Sequence, residues 1–206
     1  MPDIANHITI DRLLRVLATL AVLFLGGAAL LSGGCDRQCG TSGDPDALIG
    51  GDFTAINHLG EAVTSDQFAG RYKLIFFGFT SCPDVCPTAL ATVSTALDLL
   101  GSDAHYFQPI FVSIDPDRDT PPVMADYLSN FHESFIGLTG TPTQVKDLAH
   151  VYRAYYARGQ DSGNSGQYNM DHSSIIYLMD CEDRYISHFA HGTDVEEMAK
   201  ALRDIL

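Results

Sequence analysis

The sequence has few basic residues and few cysteines. Its 206 residues include 12 Lys and Arg against 26 Asp and Glu, which gives a formal net charge of −14. A chain this acidic repels phosphate backbones, and because it has no basic stripe, binding to nucleic acid is excluded. Five cysteines are too few for a disulfide scaffold, and no segment repeats at a fixed period, which excludes a solenoid. One compact domain with an N-terminal extension is therefore expected.

The N-terminal region carries one long apolar run. Residues 13–31 contain only two polar side chains, and the run is long enough for the about 20 residues that a membrane-spanning helix needs. Arg12 and Arg15 flank its start, so the positive-inside rule keeps residues 1–12 in the cytoplasm and exports the rest. We therefore expect a single-pass anchor in the inner (cytoplasmic) membrane, with the C-terminal domain in the periplasm or an equivalent exported compartment.

Two alternatives to an uncleaved anchor stay open. The apolar run exceeds the usual core of a cleaved signal peptide, about 7–15 residues, which disfavours cleavage. Lipid attachment at Cys35 is disfavoured because Ser32 stands three residues before it in place of a large aliphatic residue. Residues 32–50 are rich in Gly, Ser and Asp and are predicted to form a flexible linker, followed by the folded domain over 51–206.

Within 51–206 the apolar pattern alternates between strand and helix periodicity. The predicted strands are 53–57 and 62–64 (a hairpin), 73–80, 107–114, 135–139, and 173–179 with 185–189 (a second hairpin). The predicted helices are 88–100, 121–131, 142–152 and 195–206, and residues 159–169 are predicted to be a polar loop. Two strand–helix units followed by a hairpin and a helix form the thioredoxin order. The expected fold is therefore α/β and thioredoxin-like, with an extra N-terminal β-hairpin and one transmembrane anchor helix before it.

Two cysteines stand at the first strand-to-helix corner of this pattern. Cys82 and Cys86 follow the apolar strand 73–80 in the motif C-P-D-V-C-P. The first turn of a helix has free N–H groups and a partial positive charge, and both favour a thiolate. Residues four apart share one face of a helix, so both sulfurs can point at one place. A redox dithiol and a site for a soft metal ion both fit this arrangement.

The sequence before strand 173–179 helps to choose between these two chemistries. Oxidoreductases of the thioredoxin type usually have a cis-proline there and a dithiol spacing of C-x-x-C, one residue shorter than the spacing here. The residue at that point is His172, and an imidazole beside two thiols makes a set of one nitrogen and two sulfur ligands. Copper and zinc both accept such a set, so the ligand types alone leave the metal open.

Three stretches in order resemble the Sco/SenC family of copper proteins. They are FFGFTSCPDVCPT at 76–88, FVSIDPDRDTP at 111–121 and DHSSIIYLMD at 171–180, and the likeness covers about residues 48–206. The family is thioredoxin-like, anchored to a membrane by an N-terminal helix, and binds copper through two cysteines and one histidine. By this resemblance the copper ligands are Cys82, Cys86 and His172.

The resemblance also implies a function and partners. Members assist assembly of the binuclear copper (CuA) centre of cytochrome c oxidase, so the expected partners are its copper-bearing subunit or another copper chaperone. The expected role is that of a copper metallochaperone. The alternative is a membrane-anchored thiol–disulfide oxidoreductase that reduces the acceptor's cysteines, in which case Cys82 and Cys86 are the catalytic pair.

Several residues keep two interpretations. Cys35 and Cys39 could form a second soft-metal pair or a disulfide, and Cys181 has no counterpart that we can assign. The acidic segment 115–119 fits either support of the site and partner docking, or turn formation and helix capping. Asp171 could orient His172 or simply form a turn, and Met170 is expected to pack in the core.

Overall fold

The computed structural model describes residues 39–40, 42–159 and 168–206. Its strands are β1 (Thr54–Asn57), β2 (Ala62–Thr64), β3 (Tyr72–Gly78), β4 (Phe107–Ser113), β5 (Ile136–Thr139), β6 (Tyr156–Arg158), β7 (Met170–His172), β8 (Ile175–Met179) and β9 (Tyr185–Ala190). Its α-helices are α1 (Val85–Leu100), α2 (Pro121–Leu128), α3 (Pro142–Val151) and α4 (Val195–Asp204), and short 3₁₀ helices lie at Ser65–Phe68 and Gly101–Tyr106. The predicted anchor over 13–31 lies outside the described residues.

Seven strands form one mixed sheet in the order β2-β1-β5-β4-β3-β8-β9. β3, β4 and β5 are parallel, and the two hairpins join them antiparallel at either side. β3 and β4 are the central strands, and every residue in them is buried, as expected for strands covered on both faces. The predicted mixed α/β order and the N-terminal hairpin are confirmed, with element ends shifted by up to three residues.

Helix α1 fills the core beside the central strands. Its buried residues recur at helical spacing, among them Leu90, Val93 and Leu97. The segment Val85–Tyr106 is also the one described helix that is long and apolar enough to cross a membrane by length and composition alone. Seven of its apolar side chains are buried in the domain, so its composition follows from its place in the core.

The predicted loop 159–169 turned out to be flanked by two short strands that the sequence did not indicate. β6 and β7 pair antiparallel, with Tyr156 opposite His172, and form a separate two-stranded sheet. His172 therefore lies at the end of this hairpin and not at the start of the strand that follows. The position of His172 depends on what holds the hairpin to the main sheet.

The predicted linker is not free of the domain on its C-terminal side. The amide of Gly43 donates to the carboxylate of Asp180 at 3.0 Å, and the Asp44 amide donates to the carbonyl of Tyr185 at 2.8 Å. Gly50 donates to the carbonyl of Val151 at 2.9 Å. The described chain therefore packs onto the domain well before residue 51, and it supplies a backbone donor to the buried carboxylate of Asp180.

A disulfide joins this segment to the same turn. Cys39 is bonded to Cys181, 142 residues later, with Cα atoms 5.9 Å apart. Of the two interpretations offered for Cys39, the disulfide is the one found, but its partner is Cys181 and not Cys35. Cys181 follows β8 beside the start of β3, so the disulfide lies at the opposite end of these strands from Cys82 and Cys86.

Candidate metal centre

The two cysteines lie where β3 passes into α1. Cys82 is partly exposed in the connecting loop, and Cys86 is fully buried in the first turn of the helix. The backbone N–H of Cys86 points at the sulfur of Cys82, 3.5 Å away. One free amide at the start of the helix is thus directed at the dithiol, as expected for a helix N-terminus.

Gly78, the last residue of β3, makes room for the buried sulfur. A Cβ at this position would stand 2.7 Å from Sγ of Cys86 and 2.9 Å from Cε2 of Phe111. Both neighbours are fully buried. Only a glycine therefore lets the strand approach the thiol so closely.

His172 completes the cluster from the β6–β7 hairpin. Its Nε2 lies 3.6 Å from Sγ of Cys86, and its Nδ1 lies 3.0 Å from the carbonyl oxygen of Ser173. A proton on Nδ1 donated to that carbonyl leaves the lone pair of Nε2 facing the thiols. The rings of Phe76 and Phe79 meet the imidazole edge to face, with centroids 5.8 and 5.9 Å away. The Ser173 carbonyl and the two aromatic rings therefore hold the imidazole in an orientation that suits ligation through Nε2.

The sulfurs of Cys82 and Cys86 and a ring nitrogen of His172 all lie within 4.8 Å of one another. No other group of three such ligands occurs in the part of the chain that the structure describes. Two thiols and one imidazole make a soft donor set, which suits copper or zinc and leaves a fourth position open. The three residues singled out from the sequence are thus brought together.

Burial shapes the charge of this cluster. Desolvation raises the pKa of the Cys86 thiol well above its usual range, against the effect of a hydrogen bond from the backbone of Phe79 that lowers it. Desolvation also lowers the pKa of His172 below its ordinary value. Without a metal, the buried thiol is therefore protonated and the imidazole neutral at pH 7. A metal cation must displace the thiol proton, so its apparent affinity falls as the pH falls.

A cavity of about 320 Å³ opens in front of the cluster. It is lined by Cys82, Asp84, Tyr155 and His172, among others. Tyr155 is 64% exposed beside this opening, and no sequence pattern indicates it, because a single tyrosine outside a helix or strand carries no periodicity. The partly exposed sulfur of Cys82 is thus accessible to a small ligand or to a side chain of another protein.

Of the two residues before His172, Met170 has the role expected of it, whereas Asp171 lies in strand β7 opposite Ala157 and does not form a turn. Met170 is 8% exposed and belongs to the hydrophobic core, as expected. Asp171 is exposed on β7, and its carboxylate acts to raise the pKa of His172, against desolvation, which is the largest effect and lowers it.

We expect a Gly78→Ala substitution to disturb the dithiol more than the same substitution at an equally crowded glycine elsewhere. Overpacking of this kind costs about 1–3 kcal/mol in stability, and here the added methyl group also displaces the sulfur of Cys86. Gly137→Ala is the matched control, because its Cβ would stand 2.7 Å from Leu128 and Met124, which are not part of the cluster. The measurement compares thermal unfolding and Cu(I) affinity for both variants. Equal Cu(I) affinities in the two variants would contradict the role given to Gly78.

A mixed α/β sheet with two thiols at a strand-to-helix corner and an imidazole beside them defines a thioredoxin-like protein with a candidate metal centre. No cis peptide bond occurs among the described residues. The sequence profile of the SCO1/SenC family matches residues 41–206. The chain belongs to the SCO1/SenC family.

Individual relatives agree with this assignment. A SCO2-like protein of Rickettsia conorii is 42% identical over 161 residues, which cover 78% of each chain. Protein sco1 of Schizosaccharomyces pombe is 39% identical over 171 residues, covering 81% of this chain and 64% of that protein. Bradyrhizobium japonicum ScoI, solved with copper bound, matches with a TM-score of 0.71 and 42% identity over 77% of this chain and 99% of that one. Yeast Sco1, also solved with copper bound, matches with a TM-score of 0.70 and 34% identity over 76% of this chain and 87% of that one.

Proposed function

We propose that this protein binds copper through Cys82, Cys86 and His172 and delivers it during assembly of the CuA centre of cytochrome c oxidase. The observation that carries the proposal is the meeting of the three donor atoms within 4.8 Å of one another. Two relatives more than 30% identical to this chain are solved with copper bound, which supports copper as the metal. Thiolates prefer Cu(I), and the imidazole extends the set to Cu(II).

The site is built to release its cargo as well as to hold it. Three protein donors leave a coordination position free, and the cavity of about 320 Å³ in front of Cys82 gives access to that position. An incoming thiol of the acceptor meets Cys82 first, because this sulfur is partly exposed while that of Cys86 is buried. Transfer then proceeds by exchange of thiolate ligands, with Cys86 taking up a proton as copper leaves.

One observation favours the second candidate, a thiol–disulfide oxidoreductase. Both sulfurs are free and close, and the amide of Cys86 is directed at the sulfur of Cys82, where it would stabilise a nucleophilic thiolate. Under this alternative Cys82 is the attacking sulfur and Cys86 the resolving one. His172 would then be dispensable for activity.

A His172→Ala variant separates the two functions. Loss of the nitrogen donor is expected to lower Cu(II) affinity at least tenfold and to change the Cu(II) paramagnetic resonance spectrum, while reduction of a model disulfide continues. The control is His188→Ala, which removes an exposed histidine on β9. The copper proposal fails if His172→Ala binds copper with unchanged affinity and spectrum while still reducing disulfides.

The membrane tether belongs to the same proposal. We infer from the apolar run 13–31 and the arginines before it that the chain is a single-pass protein of the inner membrane, with the copper domain in the periplasm or an equivalent exported compartment. An acceptor in the same membrane would then be reached by diffusion in two dimensions. The expected partners are the copper-bearing subunit of the oxidase or a copper chaperone that loads the site.

A further inference from the structure

The acidic turn 115–119 connects the two halves of the site. We propose that this turn is a bracket that sets the distance between the dithiol and His172. Asp119 positions the loop that leads into Cys82 through its bonds to Thr80. Asp115 and Arg118 position the β6–β7 hairpin, which carries His172, through their contacts with Tyr168. This inference rests on the proposed copper function, and it assigns a role to the motif D-P-D-R-D that the sequence left open.

The first arm of the bracket reaches the cysteine loop. Asp119 is fully buried, and its carboxylate accepts hydrogen bonds from the backbone N–H of Thr80 at 3.0 Å and from the Thr80 hydroxyl at 2.6 Å. The hydroxyl of Ser113, at the end of β4, donates to the same carboxylate at 2.6 Å. Thr80 stands two residues before Cys82, so the path of the loop into the dithiol is fixed by this one carboxylate.

The second arm reaches the hairpin that carries the histidine. The hydroxyl of Tyr168 donates to Asp115 at 2.6 Å, and Arg118 pairs with the same carboxylate. Arg118 also donates from Nη1 to the carbonyl of Tyr168 at 3.1 Å, and its guanidinium carbon lies 3.8 Å from the centroid of the Tyr168 ring. The guanidinium carbon of Arg158, on β6, lies 3.7 Å from the same centroid. Tyr168 is thus held at its hydroxyl, at its backbone carbonyl and at its ring, four residues before His172.

The hairpin needs such an attachment. The strand pairing of β6 and β7 joins them only to each other, so no sheet hydrogen bonds of the described chain hold this hairpin to the main sheet. The distance of 3.6 Å between Cys86 and His172 is nevertheless fixed across 86 residues of chain. A rigid turn that contacts both segments adds to the packing of the His172 ring against Phe76 and Phe79, and the amides of Arg118 and Asp119 both donate back to the carbonyl of Asp115, which stiffens the turn.

Helix capping does not explain the side-chain contacts of Asp115 and Asp119. The residue before α2 is Thr120, and no side chain makes a capping hydrogen bond there. Asp119 directs its carboxylate at Thr80 and Ser113, and Asp115 directs its carboxylate at Arg118 and Tyr168. The polar atoms of the turn are therefore directed at the two halves of the site.

Arg118→Gln, compared with Arg184→Gln, tests the bracket. The two arginines are a matched pair, because each pairs with a buried aspartate three or four residues before it and their side chains are 28% and 27% exposed. Arg184 lies at the opposite end of the sheet, beside the disulfide. For the full chain in detergent, we expect both variants to lose similar stability, but only Arg118→Gln to lose Cu(II) affinity, by about 10–100-fold, as when a partner that orients a ligand is removed.

Two milder variants distinguish loss of the bracket contacts from a general folding defect. Tyr168→Phe removes only the hydroxyl that bonds Asp115, and Arg118→Lys keeps the charge but not the bond to the Tyr168 carbonyl. Both are expected to bind copper with an affinity between those of the wild type and Arg118→Gln. In the copper-free protein, the nuclear Overhauser contacts between the His172 ring and the Cys86 methylene are expected to weaken in the order of the affinity loss.

The outcomes separate this inference from the function on which it rests. If the wild type binds one copper ion and loses it in Cys82→Ser, while Arg118→Gln and Tyr168→Phe match Arg184→Gln in affinity and in the His172 contacts, the bracket is overturned and the copper function stands. If Cys82→Ser still binds copper like the wild type, the proposed function itself fails.

Discussion

A Cys86→Ser variant is expected to fold and to lose stoichiometric copper binding. Cys86 contacts both other donors, because its sulfur lies 3.6 Å from Nε2 of His172 and its amide points at the sulfur of Cys82. Thiolates bind copper and a serine hydroxyl does not replace them at neutral pH. The loss of a direct donor should exceed the about 10–100-fold loss that follows removal of a ligand's hydrogen-bond partner.

Copper titration of the full chain in detergent, followed by absorption and paramagnetic resonance, measures this effect. The wild type should show a sulfur-to-copper charge-transfer band, and the variant should show none. The serine is nearly isosteric with the cysteine, so the thermal unfolding temperature is expected to change little. A charge-transfer band of undiminished intensity in Cys86→Ser would rule Cys86 out as a ligand.

The second large effect is expected from removal of the disulfide, which lowers the free energy of unfolding and leaves copper binding unchanged. The bond between Cys39 and Cys181 spans 142 residues. A cross-link over a loop of this length restricts the unfolded chain, and removal of a native disulfide typically costs about 2–5 kcal/mol. A double variant, Cys39→Ser with Cys181→Ser, is therefore expected to lose about that much free energy of unfolding.

Guanidinium denaturation of the double variant and of Cys35→Ser checks this prediction. Cys35→Ser removes the third cysteine outside the site and leaves the disulfide intact, so its free energy of unfolding should equal that of the wild type. Both should bind copper normally, since the seven residues of β3 place about 20 Å between the disulfide and the dithiol. A loss of copper affinity in the double variant would show that the two ends of the sheet are coupled.

The local parts of the site were predictable from the sequence, and the reasons are physical. β3 is a continuous buried strand and α1 repeats apolar residues at helical spacing, so the corner that holds Cys82 and Cys86 follows from short-range periodicity. His172 was singled out by its place before the predicted strand 173–179, and the resemblance to a family then implied that it is a copper ligand. Its observed distance to Cys86 then agrees with the role that the resemblance implied.

The long-range contacts were not predictable, because they depend on where distant segments pack. β6 and β7 have three residues each and flank a polar Gly/Ser-rich segment, so neither shows an alternating pattern. The pairing of Cys39 with Cys181 has no local signal, since nothing near either cysteine specifies a partner 142 residues away. The contact between Asp119 and Thr80 crosses 39 residues and likewise appears only once the sheet is formed.

The disulfide also fixes the position of Cys39 relative to the ends of β3. Cys39 is bonded beside the first residues of β3, whereas the dithiol follows the last ones, so the disulfide and the candidate metal centre lie at opposite ends of this strand. An acceptor that docks at the dithiol therefore leaves the disulfide uncovered. The same separation makes the turn between β8 and β9, beside Cys181, a suitable place for a label or support, because the cavity in front of Cys82 stays clear for ligand exchange.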